Sequence, residues 1–401
     1  MSIHADGAKS EVSAITEFAD SLDIILTTHD LGLIERASFS AKRGRNLSCT
    51  FETTKHNALF AKNAMDDIRF KASVLAAQTL PRIVGDTDHV LFQLPRLMAA
   101  NGTDKILIFE DVLNSDSLAT VLQGGAVEDN QVRRLMNNIG AGLREVHDQE
   151  VSKSNLNSAP SPLPLLSHFS QLPWSSFETL SAESLHTWGT LQQDKELYRA
   201  IVSLREMESA GAQVPIHGDL RFDQFLLDTD EGLWLVDWEE YRFGHRGRDL
   251  GTLIGEWLYL AFITLSDKEV PNGAVEPTPQ PAFDEELTHF EIVARGQEAL
   301  ERVLPFISTI WSSYLGKATP VHDLQDLAAV SAAFAGWHLY DRLLAISELV
   351  PRVSALSWAA AGIGRNVLLD PIGAANALGL TARFAPTIHR ECDIETDTEG
   401  S

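Results

Sequence analysis

Apolar and polar residues alternate in two short stretches near the start of the chain, and longer helical spacings take over later. In NLSCTFET (46–53), Leu47, Cys49 and Phe51 fall on one side of an extended chain, which predicts a half-buried strand. Lys55-His56-Asn57 predicts a hairpin turn, and ALFAKNA (58–64) the returning strand. MDDIRFKASVLAAQTL (65–80) puts Ile68, Val74, Leu75 and Leu80 at helical spacing. Asp66 and Asp67 sit where a helix N-terminus favours negative charge. HVLFQLPRLM (89–98) and KILIFEDV (105–112) predict two further strands. Residues 1–20 are small and polar and predict a flexible start or a short helix, so residues 21–112 form a small strand-rich unit with one internal helix.

Beyond 112 the spacing turns helical. Val132, Leu135, Met136, Ile139, Leu143 and Val146 share one face of a helix over 129–148. A Ser/Pro/Asn-rich loop follows at about 152–165, then a helix near 191–210. VPIHGDLRFDQFLLDTDEGLWLVDWEEYRFG (214–244) reads as a short strand, a polar loop, a strand, a turn at Glu231-Gly232 and another strand. Residues 250–265 predict a buried helix, and the Pro-rich acidic stretch 266–282 a loop. From 284 to about 380 the pattern is helical, with breaks at Pro320, Pro351 and Pro371. The larger unit is therefore 113–385, and an acidic tail occupies 386–401. There is no internal repeat. Strands first and helices later predict an α+β fold rather than a parallel α/β one.

Composition narrows the partners more than the fold. The chain has 401 residues, enough for two lobes, with 44% hydrophobic and 22% charged residues, so it is not a fibrous or mainly disordered protein. A net charge of −24 repels phosphate backbones and anionic lipid, which argues against nucleic-acid and membrane-surface partners. Cys49 and Cys392 form no C-x-x-C and read as free thiols of a reducing cytoplasm. The longest apolar run, 257–265, is far short of the roughly 20 residues of a membrane helix. The N-terminus lacks the apolar core of a signal peptide.

The chemistry concentrates at His217-Gly218-Asp219-Leu220. Gln224 lies five residues after Asp219, and the apolar run LWLVDWE delivers Asp237 eighteen residues after it. Phosphoryl transfer asks for a carboxylate near the attacking hydroxyl and hard oxygen ligands for Mg²⁺ on the phosphates. Two carboxylates at the ends of paired short strands can converge on one cleft, and an amide oxygen nearby can reach the same metal.

These residues resemble the aminoglycoside phosphotransferase and choline kinase-like family, relatives of the protein kinases. That family's catalytic loop, H-G-D-L-x-x-x-N, is followed by an apolar strand ending in a metal-binding Asp; here the two read HGDLRFDQ and LVDWE. The resemblance spans roughly 30–260, and it is specific in the catalytic segment. It implies a two-lobed protein kinase-like fold: a small antiparallel sheet with one helix, and a larger helical lobe. It also implies ATP and Mg²⁺ as cofactors. Asp219 would accept or orient the acceptor's hydroxyl proton, Asp237 would bind Mg²⁺, and Gln224 would stand on a second metal position. Lys62 in LFAK would hold the phosphates, under a glycine turn at Gly44-Arg45-Asn46. Glu110 belongs to the linker, whose backbone would meet adenine. His217 would brace the loop, as would Asp249 in GRDLG (247–251).

Two positions depart from the family pattern. Gln224 replaces Asn, and Lys71 aligns where a helix glutamate would pair with Lys62, leaving Asp66 or Asp67 as alternative partners. Arg221 and Asp223 could face substrate; Trp234 and Trp238 read as packing, and Glu239-Glu240 as a solvated face. No P-loop, H-E-x-x-H, G-x-S-x-G or Cys–His metal spacing competes. The expected activity is transfer of the ATP γ-phosphate to a hydroxyl of a small molecule or a peptide. One alternative is phosphorylation of Ser or Thr in a ribosomally made precursor peptide before elimination to dehydroamino acids, with the helical region 284–385 holding the peptide or a partner subunit. The other is a non-catalytic kinase-like binding subunit.

Overall fold

Alternation in the first 110 residues builds a sheet with one face for packing and one for a cleft. The structure is a computed structural model. It describes residues 3–381 apart from 44–45, 81, 85–89, 126, 153–155, 160, 162–163, 264–288 and 317–320. Helix α1 (Ile3–Thr28) leads into β1 (Ser40–Arg43), β2 (Leu47–Glu52), β3 (Ala58–Asn63), α2 (Asp67–Thr79), β4 (Arg82–Val84), β5 (Val90–Gln93), β6 (Leu97–Asn101) and β7 (Ile106–Glu110). After the linker come β8 (Asp116–Ser117), α3 (Leu118–Gln123), α4 (Asp129–His147), α5 (Leu166–Ser170), α6 (Trp174–Thr179), α7 (Ala182–Gln193), α8 (Lys195–Ala210), β9 (Gln213–Ile216), β10 (Phe225–Leu227), β11 (Leu233–Leu235) and β12 (Arg242–His245). The chain ends in α9 (Gly247–Ile263), α10 (His289–Leu315), α11 (Val321–Leu349), α12 (Ala355–Leu369) and α13 (Pro371–Ala377).

The small lobe is an antiparallel sheet in the order β1-β2-β3-β7-β6. Its register sets Cys49 opposite Ala61 and Ala61 opposite Ile108, all buried on the face that α1 covers. The alternate residues Ser48, Phe60, Lys62 and Phe109 turn to the other face and line the cleft. The flexible start expected for residues 1–20 is a correction: from residue 3 onward it is helix. Phe18, Leu22, Ile25 and Leu26 are buried against the sheet. Each such side chain contributes about 1.5–3 kcal/mol on burial, enough to offset the ordering of a helix end.

The strand expected over 89–98 is two strands. Pro95 supplies no N–H for a ladder, and β5 and β6 separate around it. β6 pairs with β7, whereas β5 pairs with β4 and, in parallel, with β11 through Gln93 and Trp234. Residues 82–93 were expected in the small unit. Ile83, Leu91 and Phe92 instead share a core with α4 residues Met136, Ile139 and Leu143.

In the large lobe α9 and α11 pack along each other, with α10 on α4 and α12 on α11. The approach of α9 to α11 needs glycine at Gly251, where a Cβ would lie 2.4 Å from the Ser331 carbonyl oxygen. The helix break expected at Pro351 falls between α11 and α12, that at Pro371 falls at the first turn of α13, and Pro320 lies outside the described residues. Ile307, Ile310, Trp311 and Tyr314 of α10 and Val330 and Phe334 of α11 are core residues. The loop and tail assigned to 266–282 and 386–401, and Cys392, lie outside the described residues; Cys49 is a buried free thiol.

Candidate active site

Two strand pairs bring the catalytic segment together. β9 pairs antiparallel with β12, Ile216 opposite Arg242, so the chain entering His217–Asp219 lies beside the chain leaving 237–241. β10 and β11 form a hairpin, and Val236 N–H donates to the Gln224 carbonyl at 3.0 Å, which places Gln224 and Asp237 at one end of it. The hairpin turn is pinned by Asp228, whose carboxylate accepts from Gly232 N–H at 2.7 Å and Trp234 Nε1–H at 2.8 Å. Asp237 has φ of 64°, a left-handed conformation that costs a non-glycine residue energy and recurs where a side chain must be aimed. Gly218, at φ of 89°, has no room for a Cβ: the Glu240 carbonyl oxygen would be 2.6 Å away.

Lys62 reaches across the cleft from β3. Its Nζ lies 2.5 Å from Asp237 Oδ1 and 3.6 Å from Glu239 Oε2. Asp66 and Asp67, the partners offered by the sequence, do not take this role. Asp66 caps α2, accepting from Arg69 N–H at 2.8 Å. Burial alone would raise the Asp237 carboxyl, but the Lys62 ammonium outweighs it and holds Asp237 below the usual range. Asn46 also points here, its Nδ2 donating to Glu239 Oε2 at 2.9 Å. Gly44 lies outside the described residues.

The solvated face expected for Glu239-Glu240 is therefore wrong. Glu239 lines the cleft, and burial together with Asp237 pushes its carboxyl up. Glu240 takes Arg69 of α2, with Nη2 at 2.6 Å and Nε at 2.9 Å from Oε1, and also Arg242. The alignment of Lys71 with a helix glutamate is corrected too. Lys71 is exposed, while Ser73, buried, lines the cleft with Ala77 one turn on. The lobes are joined by the ion pair between Arg69 on α2 and Glu240, three residues after Asp237. A basic residue one turn before a small buried one on α2 was the available signal.

Asp219 is half-buried, with 39% of its side-chain surface open to the cleft. Burial pushes its carboxyl up to about 6; the Arg221 guanidinium opposes this, and Asp341 on α11 and Asp237 add to it. Arg221 Nη1 lies 3.8 Å from Asp219, and Arg221 Nε lies 3.2 Å from Asp223. Asp341 carries no local motif, so only the packing of α11 reveals it. A carboxylate that takes up a proton near neutral pH, open to a cleft, can act as a general base.

The loop is braced from below. Asp249, fully buried in the first turn of α9, accepts from His217 N–H at 2.8 Å, Gly218 N–H at 2.9 Å and the His147 ring at 3.1 Å. Burial alone would raise its carboxyl, but the hydrogen bond from His147 and the charges around it lower it. His217 is buried, and its ring meets the Val236 carbonyl at 3.1 Å. Burial also lowers its pKa. Glu256, which the sequence did not single out, accepts from Phe222 N–H at 3.0 Å and from the His338 ring of α11 at 2.6 Å.

Lys62, Asp219, Gln224, Asp237 and Glu239 line one cleft of about 580 Å³ between the lobes. Phe60, Leu94, Phe109 and Val236 give it apolar walls, and Glu110, Asp111 and Val112 of the linker form an edge. The Glu110 carboxylate is turned away to Arg96 N–H at 2.8 Å, and the Glu110 and Asp111 N–H groups donate to the Arg96 and Ala58 carbonyls at 2.9 and 3.0 Å. Mg²⁺ is commonly held by one or two carboxylates plus phosphate oxygens. Asp237 and Glu239, both drawn to one ammonium in the cleft, fit that donor set.

Residues 91–271 match the model of the phosphotransferase enzyme family, named APH. That stretch runs from β5 through α9 and includes Asp219, Gln224 and Asp237, so this part of the chain is similar to that family, and the chain as a whole has the two-lobed α+β architecture expected from its sequence. This is the family to which HGDLRFDQ and LVDWE pointed. No curated protein sequence matches the chain. Among solved structures, a spectinomycin phosphotransferase in complex with ADP and spectinomycin is 13% identical, with 91% of this chain and 98% of that one covered and a TM-score of 0.47. A choline kinase from Streptococcus pneumoniae is 15% identical, with 90% and 99% covered and a TM-score of 0.47. Among the described residues, no helix is long and apolar enough to cross a membrane.

Proposed function

We propose that the chain transfers the γ-phosphate of ATP to a hydroxyl of a small molecule, with Mg²⁺ on the phosphates. The observation that carries this is the meeting of Asp219, Asp237 and Lys62 in one cleft, with Lys62 Nζ 2.5 Å from Asp237. Asp237 and Glu239 would hold Mg²⁺, which neutralises charge on the phosphates when bound. Lys62 binds phosphate oxygens, and the apolar walls beside the linker take the purine. Asp219 accepts the acceptor's proton as its oxygen bonds to the γ-phosphorus. The bond from that phosphorus to the bridging oxygen breaks, and ADP leaves with the electron pair. His217 and Asp249 hold the loop in place.

The test is ADP release and phosphoryl incorporation across a panel of amino alcohols, aminoglycosides and Ser/Thr peptides. A small-molecule hydroxyl is the expected acceptor. Asp219→Asn is expected to cut turnover about 10²–10⁴-fold, the span of a general base, while the variant stays folded. Asp237→Asn is expected to abolish metal-dependent nucleotide binding. Phosphorylated peptide alone would replace the small-molecule acceptor with the peptide one. Nucleotide binding without transfer to any acceptor would favour the non-catalytic reading.

A further inference from the structure

We propose that Gln224 acts as a hydrogen-bond donor to a phosphate oxygen of the bound nucleotide, and is not a ligand to a second metal. This rests on the phosphotransfer reading of the same cleft. Gln224 is 3% exposed and lines the cleft at the hairpin end that also carries Asp237. Its Oε1 is already engaged: it accepts from Arg221 N–H at 3.0 Å, and Gln224 N–H donates back to the Arg221 carbonyl at 3.2 Å. That reciprocal pair fixes which way the amide points, because the flipped amide would set an NH₂ against the Arg221 N–H, donor against donor. The group left over is Nε2, buried and without a hydrogen-bond partner among the protein atoms.

The cap ties the amide oxygen to the loop backbone, and that bond competes with the metal role expected for it. A buried NH₂ with both hydrogens unused calls for an acceptor, and an orphaned buried donor is costly. Asp219 and Asp237 flank the site, yet neither bonds the amide. The acceptor most consistent with this end of the cleft, where Lys62 also converges, is an anionic phosphate oxygen.

The test uses AMP-PNP and Mn²⁺ on the full chain. Wild type and Gln224→Met are compared for AMP-PNP affinity in chelator and for the number of Mn²⁺ bound per nucleotide complex, read by electron paramagnetic resonance. The expected result is one Mn²⁺ in both, with affinity in chelator about tenfold weaker in the variant, the scale of a hydrogen bond to a charged group. Two Mn²⁺ in the wild type falling to one in the variant, or unchanged affinity in chelator, overturns the inference. Should the methionine variant fail to fold, Gln224→Glu keeps an oxygen for Arg221 N–H. It is expected to bind AMP-PNP more weakly and to keep one Mn²⁺; a gain of a second Mn²⁺ overturns the inference. Failure of AMP-PNP to bind the wild type at all would overturn the phosphotransfer reading itself, and this inference with it.

Discussion

Asp249 is the residue whose loss should be felt furthest from where it sits. Its carboxylate is fully buried and satisfies three donors: His217 N–H and His147 on Oδ2, and Gly218 N–H on Oδ1. Asp249→Asn keeps the shape but makes one of the two oxygens an NH₂. The better orientation retains the oxygen that serves His217 and His147, and sets the NH₂ against Gly218 N–H. Two buried donors are then orphaned at about 1–3 kcal/mol each, and the surviving bonds lose their charge assistance. Relief of a buried charge offsets part of this, leaving about 2–4 kcal/mol. Unfolding entropy of about 2.1 cal/mol/K per residue gives about 0.8 kcal/mol/K for a chain of 401 residues, so Tm should fall by about 3–5 °C at pH 7. The carboxyl's folded pKa is depressed, so its contribution is present above the unfolded value of about 3.9 and is lost as pH falls through the folded value. The gap between wild type and Asp249→Asn should therefore narrow below about pH 4. Scanning calorimetry from pH 7 to pH 3 reads both effects. Equal Tm values at pH 7 would refute the bracing role.

Because burial pushes Asp219 up to about 6, kcat/KM for a good acceptor should fall below about pH 6 as the base becomes protonated. Asp341→Asn, which removes a neighbouring negative charge, should move that limb to lower pH; an unmoved limb counts against Asp219 as the base. Arg69 and Glu240 join the lobes through contacts of 2.6 and 2.9 Å on side chains 27% and 16% exposed. A double-mutant cycle of Arg69→Ala and Glu240→Ala in urea should give a coupling of about 1 kcal/mol, the upper end for exposed pairs. A coupling near zero would reduce the pair to a surface contact.

What the sequence could reveal depended on how local the cause was. The cleft face of β3 was legible because period-two alternation puts Lys62 on the side opposite Ala61, and one residue's slip would have reversed both. The nearness of Gln224 and Asp237 was legible because they flank one hairpin, with Asp219 five residues before Gln224, and a run of consecutive residues encodes that geometry. The partner of Lys62 was not, because it depends on which carboxylates two lobes bring to one point. Lys62 and Glu239 are 177 positions apart, and no spacing rule connects them. A run of two glutamates reads as solvated when judged by its neighbours in the chain. In the fold, Lys62 and Asn46 meet Glu239, while Arg69 and Arg242 meet Glu240. Asp341 and Glu256 escaped for the same reason, since each acts on the loop from a helix far along the chain. The N-terminal helix is different. Phe18, Leu22, Ile25 and Leu26 carry helical spacing that starts inside the polar-looking first 20 residues and runs past them. Drawing a boundary at 20 cut that stripe in two, and each half by itself looked too short to dock.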